Sequence, residues 1–400
     1  MKEILIYPIK SLMHHDSLIS NDSNKLLNDL LELLGTDYSF KYINDFNDTN
    51  DKLVLILVQS GGSEGIFKKE VYPNFGGPYY LLAYGSSNSL PASLEILSFL
   101  KQNNKPSEVL HGNNEYIVTR IKDLYNKEID DEVVRLGVFG KPSDWLISSN
   151  VDYSKCKEVF GIELVDVDEE EIVNEINEQK EVFEISIEFK YNKEEVNKAL
   201  KIYQALKHIL IRHSLKGFTI RCFDIIAKVH SSACLALALL NKEGYIASCE
   251  GDIPAMITMY LVKKLTNQSS FQANPQWIDP INNTIDLAHC TIPFDMCERF
   301  SLDTHFESGI GVGIHGELKE NVVTIFKVSN SCDVFYCETG TIVKNEYRHD
   351  RCRTQIRILV DSPISYFLTS SIGNHHIVFY GDHKEEITNY LKNKSLRRVI

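Results

Sequence analysis

Residues 52–64 read KLVLILVQSGGSE, an apolar run that ends in a glycine-rich turn. The run is short and wholly apolar, which is typical of a strand that is buried on both faces of a parallel sheet. A second such run, Tyr79–Tyr84, leads into the turn GSSNSLPA. A helical pattern follows over Ala92–Lys101, with Pro91 in its first turn, where proline is favoured. Strand, turn and helix in this order predict an α/β unit.

The pattern extends in both directions from this stretch. Upstream, Glu3–Pro8 reads as a strand and Asn24–Leu34 carries leucines at helical spacing, so we predict an open α/β domain over residues 1–130. A second α/β domain is predicted for residues 131–215. Its elements are a strand at 133–140, a polar turn KPSDWLISS at 141–149, helices at Ser154–Val159 and Glu169–Gln179, a half-exposed strand at 183–189, and a charged bridging helix at Lys193–His213.

Beyond residue 216 the sequence has more β-branched residues, more His and Cys, and several turns. Strands are predicted at Asn321–Val328, Gln355–Val360 and His376–Gly381. The predicted fold class is therefore α/β: two Rossmann-like open α/β domains, followed by a β-rich, mostly antiparallel and barrel-like domain over residues 216–400.

Composition argues against several classes of partner. The chain has 42 Lys and Arg against 55 Asp and Glu, a net charge of −13, without a long basic tract, so we expect no nucleic acid. No apolar run is long enough to cross a bilayer, so we expect no membrane span. The N-terminus MKEILIYPIK reads as a strand and not as a secretory signal. Nine scattered cysteines without a CxxC pair fit a cytoplasmic protein.

Side chains that can bind a metal gather in five segments after residue 217, each near the end of a strand-like run. They are Asp224 in GFTIRCFD, Glu250 and Asp252 in ASCEGDIPA, His289 in DLAHCTIP, His305 and Glu307 in LDTHFESG, and His375, His376 and Asp382 in GNHHIVFYGD. Strand ends let a rigid scaffold aim several side chains at one point. Carboxylates with imidazoles suit Mn²⁺, Mg²⁺ or a related divalent ion.

Each of these residues also has a structural interpretation. Asp224 could cap a helix, Glu250 and Asp252 could be turn residues around Gly251, and His289 could be a hydrogen-bonded core histidine. A surface ion pair is an equal alternative for His305 and Glu307. His375 and His376 must point to opposite faces of a strand, so at most one of them binds a metal.

Two further features have alternatives. Cys222, Cys249 and Cys290 lie beside candidate ligands, but none has zinc-finger spacing, so small buried apolar side chains are the preferred interpretation. The loops GGSE and GSSNSLPA are either plain turns or ligand loops that contact the sugar of a neighbouring subunit; neither has a P-loop or GxGxxG pattern.

The same segments resemble the L-fucose isomerase-like family and, more distantly, the L-arabinose isomerases. The resemblance is carried by CFD, ACLALALLNKEGYIASCEGDIPAMITMYL, LAHCTIP, THFESG, CRTQIRI and NHHIVFYGD, with GGSE and NSLPASLEIL in the first domain. It implies a metal-dependent aldose–ketose isomerase that acts through a cis-enediol on a small sugar such as L-fucose, D-arabinose or L-arabinose. It further implies Mn²⁺ as the metal and a homo-oligomer, a trimer or hexamer.

The resemblance also assigns roles to residues. It implies metal ligation by Asp224, Asp252, His376 and His289, and proton transfer by Asp224 and Asp252. Substrate binding falls to Glu250, His305, Glu307 and Arg353, and His375 is left as a structural residue or a partner of a ligand. Asp224 stands where the characterised isomerases carry a glutamate.

Because Asp224 is shorter than glutamate, a second class of function, binding without catalysis, remains an alternative. A retracted carboxylate could bind metal and still fail to reach the substrate carbon, which would make the chain a sugar-binding or regulatory protein. A related sugar epimerase or aldolase is the third option. The sequence does not name the sugar.

Overall fold

The computed structural model of this chain describes residues 2–11, 16–47, 49, 52–103, 105–129, 133–180 and 189–399. It contains two compact units, Met1–Glu132 and Val133–Ile400. The strand expected at 183–189 lies almost wholly outside the described residues. Within the described part of the chain, no helix combines the length and the apolar character that crossing a membrane requires.

The first unit is a parallel five-stranded sheet with helices on both faces. Its strand order is β2-β1-β3-β4-β5. The elements are β1 (Lys2–Ile9), α1 (Asp16–Leu34), β2 (Tyr38–Tyr42), β3 (Val54–Val58), α2 (Glu64–Ile66, continued by a π-helical turn at Phe67–Val71), β4 (Tyr79–Leu82), α3 (Ser89–Gln102), β5 (Ser107–Leu110) and α4 (Asn114–Ile129).

The sheet of this unit has a separate apolar core on each face. Side chains of α1 and α4 cover one face of the sheet, and α3 covers the other. Because β3 is covered on both faces, all five of its residues are buried, which explains its uninterrupted apolar sequence. The prediction of an open α/β domain in this part of the chain is confirmed.

The second unit begins with a parallel four-stranded sheet in the order β7-β6-β8-β9. Its elements are β6 (Val134–Phe139), α5 (Tyr153–Phe160), β7 (Ile162–Val167), α6 (Glu169–Glu178), α7 (Lys193–Arg212), β8 (Gly217–Ile220), α8 (Cys222–Val229), α9 (Cys234–Lys242), β9 (Ile246–Cys249) and α10 (Ile253–Thr266). Two of the strands, β8 and β9, lie beyond residue 216, so the parallel sheet extends into the region that we expected to be mostly antiparallel. The division into domains at 1–130, 131–215 and 216–400 stays a prediction.

The rest of the second unit is a closed antiparallel barrel. The elements are β10 (Phe271–Asp279), β11 (Thr284–His289), a 3₁₀ turn (Phe294–Met296), β12 (Cys297–Asp303), β13 (Gly313–Leu318), β14 (Val322–Val328), β15 (Val334–Asn345), β16 (Thr354–Val360), α11 (Tyr366–Thr369), β17 (His376–Tyr380), α12 (Lys384–Asn393) and β18 (Arg397–Arg398). Six strands follow the order β14-β17-β10-β11-β16-β15, and pairing of β14 with β15 closes the ring. The expected fold class, with parallel α/β sheets followed by an antiparallel barrel, is confirmed.

Helix α10 joins the parallel sheet to the barrel. Every side chain from Ile253 to Met259 is buried, as in a helix that is enclosed by protein. One core cluster combines Met256 and Ile257 of this helix with Val138 of β6 and with Phe326 and Ile377 of the barrel. The N-terminus of α10 therefore lies where the end of β9 meets the barrel, and the candidate site is built there.

Candidate metal centre

The turn between β9 and α10 has a backbone that few residues tolerate. Glu250 has a φ of +63° and Gly251 a φ of +71°, both in the left-handed region. A Cβ on Gly251 would lie 2.8 Å from the carbonyl oxygen of Lys141 and 2.8 Å from the Cα of Pro142, so only glycine fits. A left-handed glutamate costs conformational energy and is typical of a functional site.

Two barrel strands bring imidazoles to this turn. His289 is the last residue of β11, and His375 directly precedes β17. The Oε1 atom of Glu250 lies 3.5 Å from Nε2 of His289 and 3.5 Å from Nε2 of His375. One ligand atom from each of the three residues lies within 4.8 Å of the others. The structure thus places one carboxylate oxygen opposite two imidazole nitrogens.

These groups are buried but incompletely hydrogen-bonded. The side chains of His289 and His375 are 4% and 0% exposed, and that of Glu250 is 12% exposed. Among the described residues, Nδ1 and Nε2 of His289 and Nε2 of His375 have no hydrogen-bond partner. Buried polar atoms are normally paired, because an unpaired one costs about 1–3 kcal/mol. Two of these atoms, both Nε2, face the same carboxylate oxygen of Glu250, which indicates that a ligand belongs between them.

Asp252 binds the ring nitrogen of His375 that does not face Glu250. Its Oδ1 accepts the backbone N–H of Ala255 at 2.9 Å and so caps α10, while Nδ1 of His375 donates to its Oδ2 at 2.8 Å. When the ring is neutral, donation from Nδ1 leaves Nε2 as an electron-pair donor. The Nζ atom of Lys327, which is only 2% exposed, lies 3.9 Å from the same Oδ2. Asp252 is therefore enclosed by partners on both oxygens.

Burial and charge act in opposite directions in this cluster. Burial alone would raise the pKa of Glu250, but the facing imidazoles of His375 and His289 lower it well below its usual value. Burial opposes protonation of His375, yet Glu250 and Asp252 outweigh it and raise the pKa of His375. Burial lowers the pKa of His289. The Glu250 carboxylate is therefore ionised and can bind a cation.

The structure places Asp224 and His376 in other surroundings. Asp224 lies in the first turn of α8 and pairs with Arg221. His376 begins β17 opposite Ala273 of β10, and its Nε2 contacts the hydroxyl of Tyr366 at 3.0 Å. His375 and His376 thus have different neighbours, as neighbouring residues of a strand should. Metal ligation by Asp224, Asp252 and His376 stays a prediction, and the grouping of side chains favours Glu250, His289 and His375.

The loop between β12 and β13 brings further polar residues toward this cluster. His305 is 5% exposed, and its Nε2 lies 3.7 Å from Oε2 of Glu307. Burial, together with the nearby His289, lowers the pKa of His305 to about 4. Arg353 donates to the backbone oxygen of Thr304 at 2.8 Å and to its hydroxyl at 2.9 Å.

Two imidazole nitrogens and one carboxylate oxygen fit a divalent cation. This donor set suits several first-row metals, and three protein ligands leave coordination positions open for a substrate. The two Nε2 atoms supply the test of fit, because a cation between them and Glu250 would satisfy two buried nitrogens that have no hydrogen-bond partner among the described residues.

Sequence analysis did not predict the contacts that three residues of this site make. The alternation rule correctly separates His375 from His376 but does not say which one faces Glu250. Lys327 lies in the otherwise apolar stretch VVTIF-K-V of β14, where a lone lysine could have marked a buried ion pair. Trp145 was read only as part of a polar turn, and its Nε1 donates to Oε2 of Glu250 at 3.1 Å.

Comparison with known proteins places this site in context. The model of the L-arabinose isomerase central domain matches residues 147–268, which include the β9–α10 turn. The sulfoquinovose isomerase of Alkalicoccus urumqiensis is 22% identical over 281 residues, covering 65% of this chain and 62% of that protein.

Two further relatives carry the same name. The sulfoquinovose isomerase of Priestia aryabhattai is 23% identical over 282 residues, with 65% of this chain and 62% of the relative covered. That of Clostridium sp. (strain MSTE9) is 24% identical over 207 residues, with 47% and 44% covered. The chain spans about three fifths of the length of the first two relatives. The matches support the L-fucose/L-arabinose isomerase superfamily and do not single out the fucose isomerases.

Proposed function

We propose that this protein is a metal-dependent sugar isomerase that interconverts an aldose and a ketose at Glu250, His289 and His375. The observation that carries the proposal is a pair of buried imidazole nitrogens, the Nε2 atoms of His289 and His375, that face one carboxylate oxygen and, within the described ranges, have no hydrogen-bond partner. The resemblance of this region to the arabinose isomerase central domain and to the sulfoquinovose isomerases supports the same reaction class.

In this proposal the three side chains hold a divalent cation, with Mn²⁺ as the expected ion. When bound, such an ion polarises the adjacent carbonyl and hydroxyl oxygens of an open-chain sugar. Asp252 keeps the Nε2 atom of His375 directed at the cluster by accepting a hydrogen bond from Nδ1. Glu250 stays ionised because the two imidazoles lower its pKa.

The reaction also needs a carboxyl group that gains and loses a proton, since a proton moves between the first and second carbons of the sugar. We assign this role to Glu307. Burial raises the pKa of the Glu307 carboxyl above its usual value, and the negative charge of Glu250 raises it further. Its side chain is 51% exposed, so it can reach a bound sugar, whereas Asp252 has both oxygens engaged inside the protein.

The test is solvent exchange. Metal-stripped protein, with and without Mn²⁺, is incubated in D₂O with sulfoquinovose, L-fucose, D-arabinose and L-arabinose, and mass spectrometry measures deuterium in the sugar and formation of ketose. We expect Mn²⁺-dependent exchange together with ketose for at least one sugar. The same assay on Glu250→Gln should show neither. The matched control is Glu317→Gln, which alters an exposed ion pair with Arg299 and should behave as the unmodified chain.

Other outcomes would contradict the proposal and name its replacement. Exchange without ketose would indicate an epimerase. Bound Mn²⁺ without exchange in any sugar would indicate a sugar-binding or regulatory protein. Activity that persists in Glu250→Gln would place the chemistry elsewhere.

The proposal includes a cytoplasmic homo-oligomer, a trimer or hexamer, whose partners are a sugar and other copies of the chain. Analytical ultracentrifugation of the Mn²⁺-loaded protein checks the assembly. A monomer at micromolar concentration would contradict it.

A further inference from the structure

Trp145 is a large, partly exposed aromatic residue that contacts the carboxylate of the cluster. Its side chain is among the exposed large apolar groups, at 52% exposure. Its indole Nε1 donates to Oε2 of Glu250 at 3.1 Å, while Oε1 of the same carboxylate faces the two imidazoles. Because His289 and His375 are buried and Glu250 is 12% exposed, a molecule that binds at Glu250 lies close to this indole.

The loop at 141–149 holds Trp145 in place although the ring is half-exposed. The backbone N–H of Ser143 donates to the carbonyl of Glu250 at 3.2 Å. Arg221 donates to the carbonyl of Pro142 at 3.1 Å and pairs with Asp144 at 3.0 Å. The indole also meets the ring of Phe223 edge to face, at a centroid distance of 4.9 Å and an angle of 88°. The ring is therefore fixed by a hydrogen bond, an aromatic contact and a tethered backbone.

A ring fixed in this way suits one class of ligand. An indole offers an apolar face, while its N–H is committed to the carboxylate. The carbon chain of a polyhydroxylated molecule presents C–H groups that pack on an aromatic face and hydroxyls that need polar partners. Small-molecule sites combine these two features, apolar walls with a few placed polar groups. Glu250 and Glu307 supply the polar side, and Trp145 supplies the apolar one.

We propose that Trp145 is a specificity-determining residue: its ring is the wall against which the C–H face of the sugar lies, and its N–H positions the Glu250 carboxylate. This inference rests on the proposed function, since it names the surface on which the sugar of that reaction is held. It assigns two separable tasks to one side chain, so that the two tasks can be removed one at a time.

Two substitutions separate the tasks in the Mn²⁺-loaded protein. Trp145→Phe keeps an aromatic ring and removes the N–H, and we expect about tenfold weaker Mn²⁺ binding with KM for the sugar changed by less than about threefold at saturating Mn²⁺. Trp145→Leu removes the ring as well, and KM should rise by about tenfold or more. Circular dichroism and the Tm of each variant check that the fold is retained.

Trp277 provides the matched control. It is the second of only two tryptophans in the chain, lies on β10, and is 58% exposed. Trp277→Leu should leave both constants within about twofold, because an exposed side chain outside the site adds little. If Trp145→Leu leaves KM within twofold of Trp277→Leu, the inference is overturned. A change in sedimentation without a change in KM also overturns it and identifies this loop, with Ile147 at 88% exposure, as a subunit contact.

Trp277→Phe leaves Trp145 as the sole tryptophan and gives a readout without turnover. We expect its emission to change saturably when sulfoquinovose or one of the three aldoses is added to the Mn²⁺-loaded protein. Turnover without any change in emission overturns the inference alone. A saturable change in a protein that shows no isomerisation supports the packing of the sugar on the Trp145 ring and overturns the proposed function alone. Absence of both signals overturns both.

Discussion

Both parallel sheets of this chain end in loops rich in polar residues, and the two sets of loops use those residues in opposite ways. After β3 and β4 in the first unit, serine hydroxyls bind the backbone of their own loop. Ser63 donates to the carbonyl of Ser60 at 2.7 Å, and Ser89 accepts the backbone N–H of Tyr84 at 3.1 Å. After β9 in the second unit, Glu250 faces two imidazoles whose Nε2 atoms have no hydrogen-bond partner among the described residues.

The two sets of loops therefore differ in whether their buried polar side chains are already hydrogen-bonded. The serines stabilise the loop itself, whereas the imidazoles can bind a ligand. Buried hydroxyls that are paired with backbone atoms stabilise the loop and leave little capacity for another molecule. Buried imidazoles without partners carry an energetic cost that binding can remove. Sequence composition does not show the distinction, because GSSNSLPA and ASCEGDIPA both read as ligand loops. Four experiments test it, in decreasing order of expected effect.

Removal of the shared carboxylate should have the largest effect. Glu250→Gln replaces the charged oxygen opposite both imidazoles by a neutral amide, so Mn²⁺ affinity should fall by about a hundredfold or more, which is about 2.7 kcal/mol. Isothermal titration calorimetry measures the change. Glu317→Gln should bind Mn²⁺ as the unmodified chain does. Equal affinity in the two variants would contradict metal binding by Glu250.

Metal should stabilise the second unit by a comparable amount. A ligand that binds only the folded state at 100 times its Kd adds about 2.7 kcal/mol to the free energy of unfolding. Urea unfolding with Mn²⁺ and with a chelator measures this difference. The Glu250→Gln chain should show almost none of it, and a full Mn²⁺ effect in that variant would mean that the ion binds elsewhere.

Asp252 should contribute less than a direct ligand. Asp252→Asn can still accept the Ala255 N–H and cap α10, but it weakens the partner of His375 Nδ1, so Mn²⁺ affinity should fall by about 10- to 100-fold. Asp152→Asn is the matched control, because Asp152 caps α5 by accepting from Lys155 and makes no hydrogen bond to a histidine in the described part of the chain. Equal Mn²⁺ affinity in the two variants would show that Asp252 is only a helix cap.

The first unit should give the smallest effect, and only on stability. Ser89 is fully buried, and Ser89→Ala should lower the free energy of unfolding by about 1–2 kcal/mol because the backbone N–H of Tyr84 and the carbonyl of Val58 lose a partner. Mn²⁺ affinity should stay unchanged in the same preparation. A Mn²⁺ affinity that falls with Ser89→Ala would show that the loops of the first unit also contribute to metal binding, and would contradict the distinction between the two sets of loops.

Local pattern was sufficient to predict most of the fold. The apolar run of β3 is buried on both faces, and the helix predicted around Pro91 forms as α3. The four-residue strands β8 and β9 were harder, because their parallel pairing with β6 depends on contacts with residues far away in the sequence. The extension of the parallel sheet past residue 216 was therefore missed.

The site shows the same limit more sharply. Alternation along a strand separates His375 from His376, but the face that meets Glu250 is decided by the pairing of Ala273 with His376 and by closure of the barrel. The hydrogen bond from Trp145 to Glu250 joins residues 105 positions apart. No local pattern encodes such contacts, whereas the left-handed turn was signalled by the glycine at position 251.

The most direct test of the account is the position of a bound ion. A crystal of the protein grown or soaked with Mn²⁺ and measured near the manganese absorption edge gives an anomalous difference map. We predict one strong peak within about 2.5 Å of Oε1 of Glu250 and the Nε2 atoms of His289 and His375. A peak bound instead by Asp224, Asp252 or His376, or no peak at saturating Mn²⁺, would contradict the account.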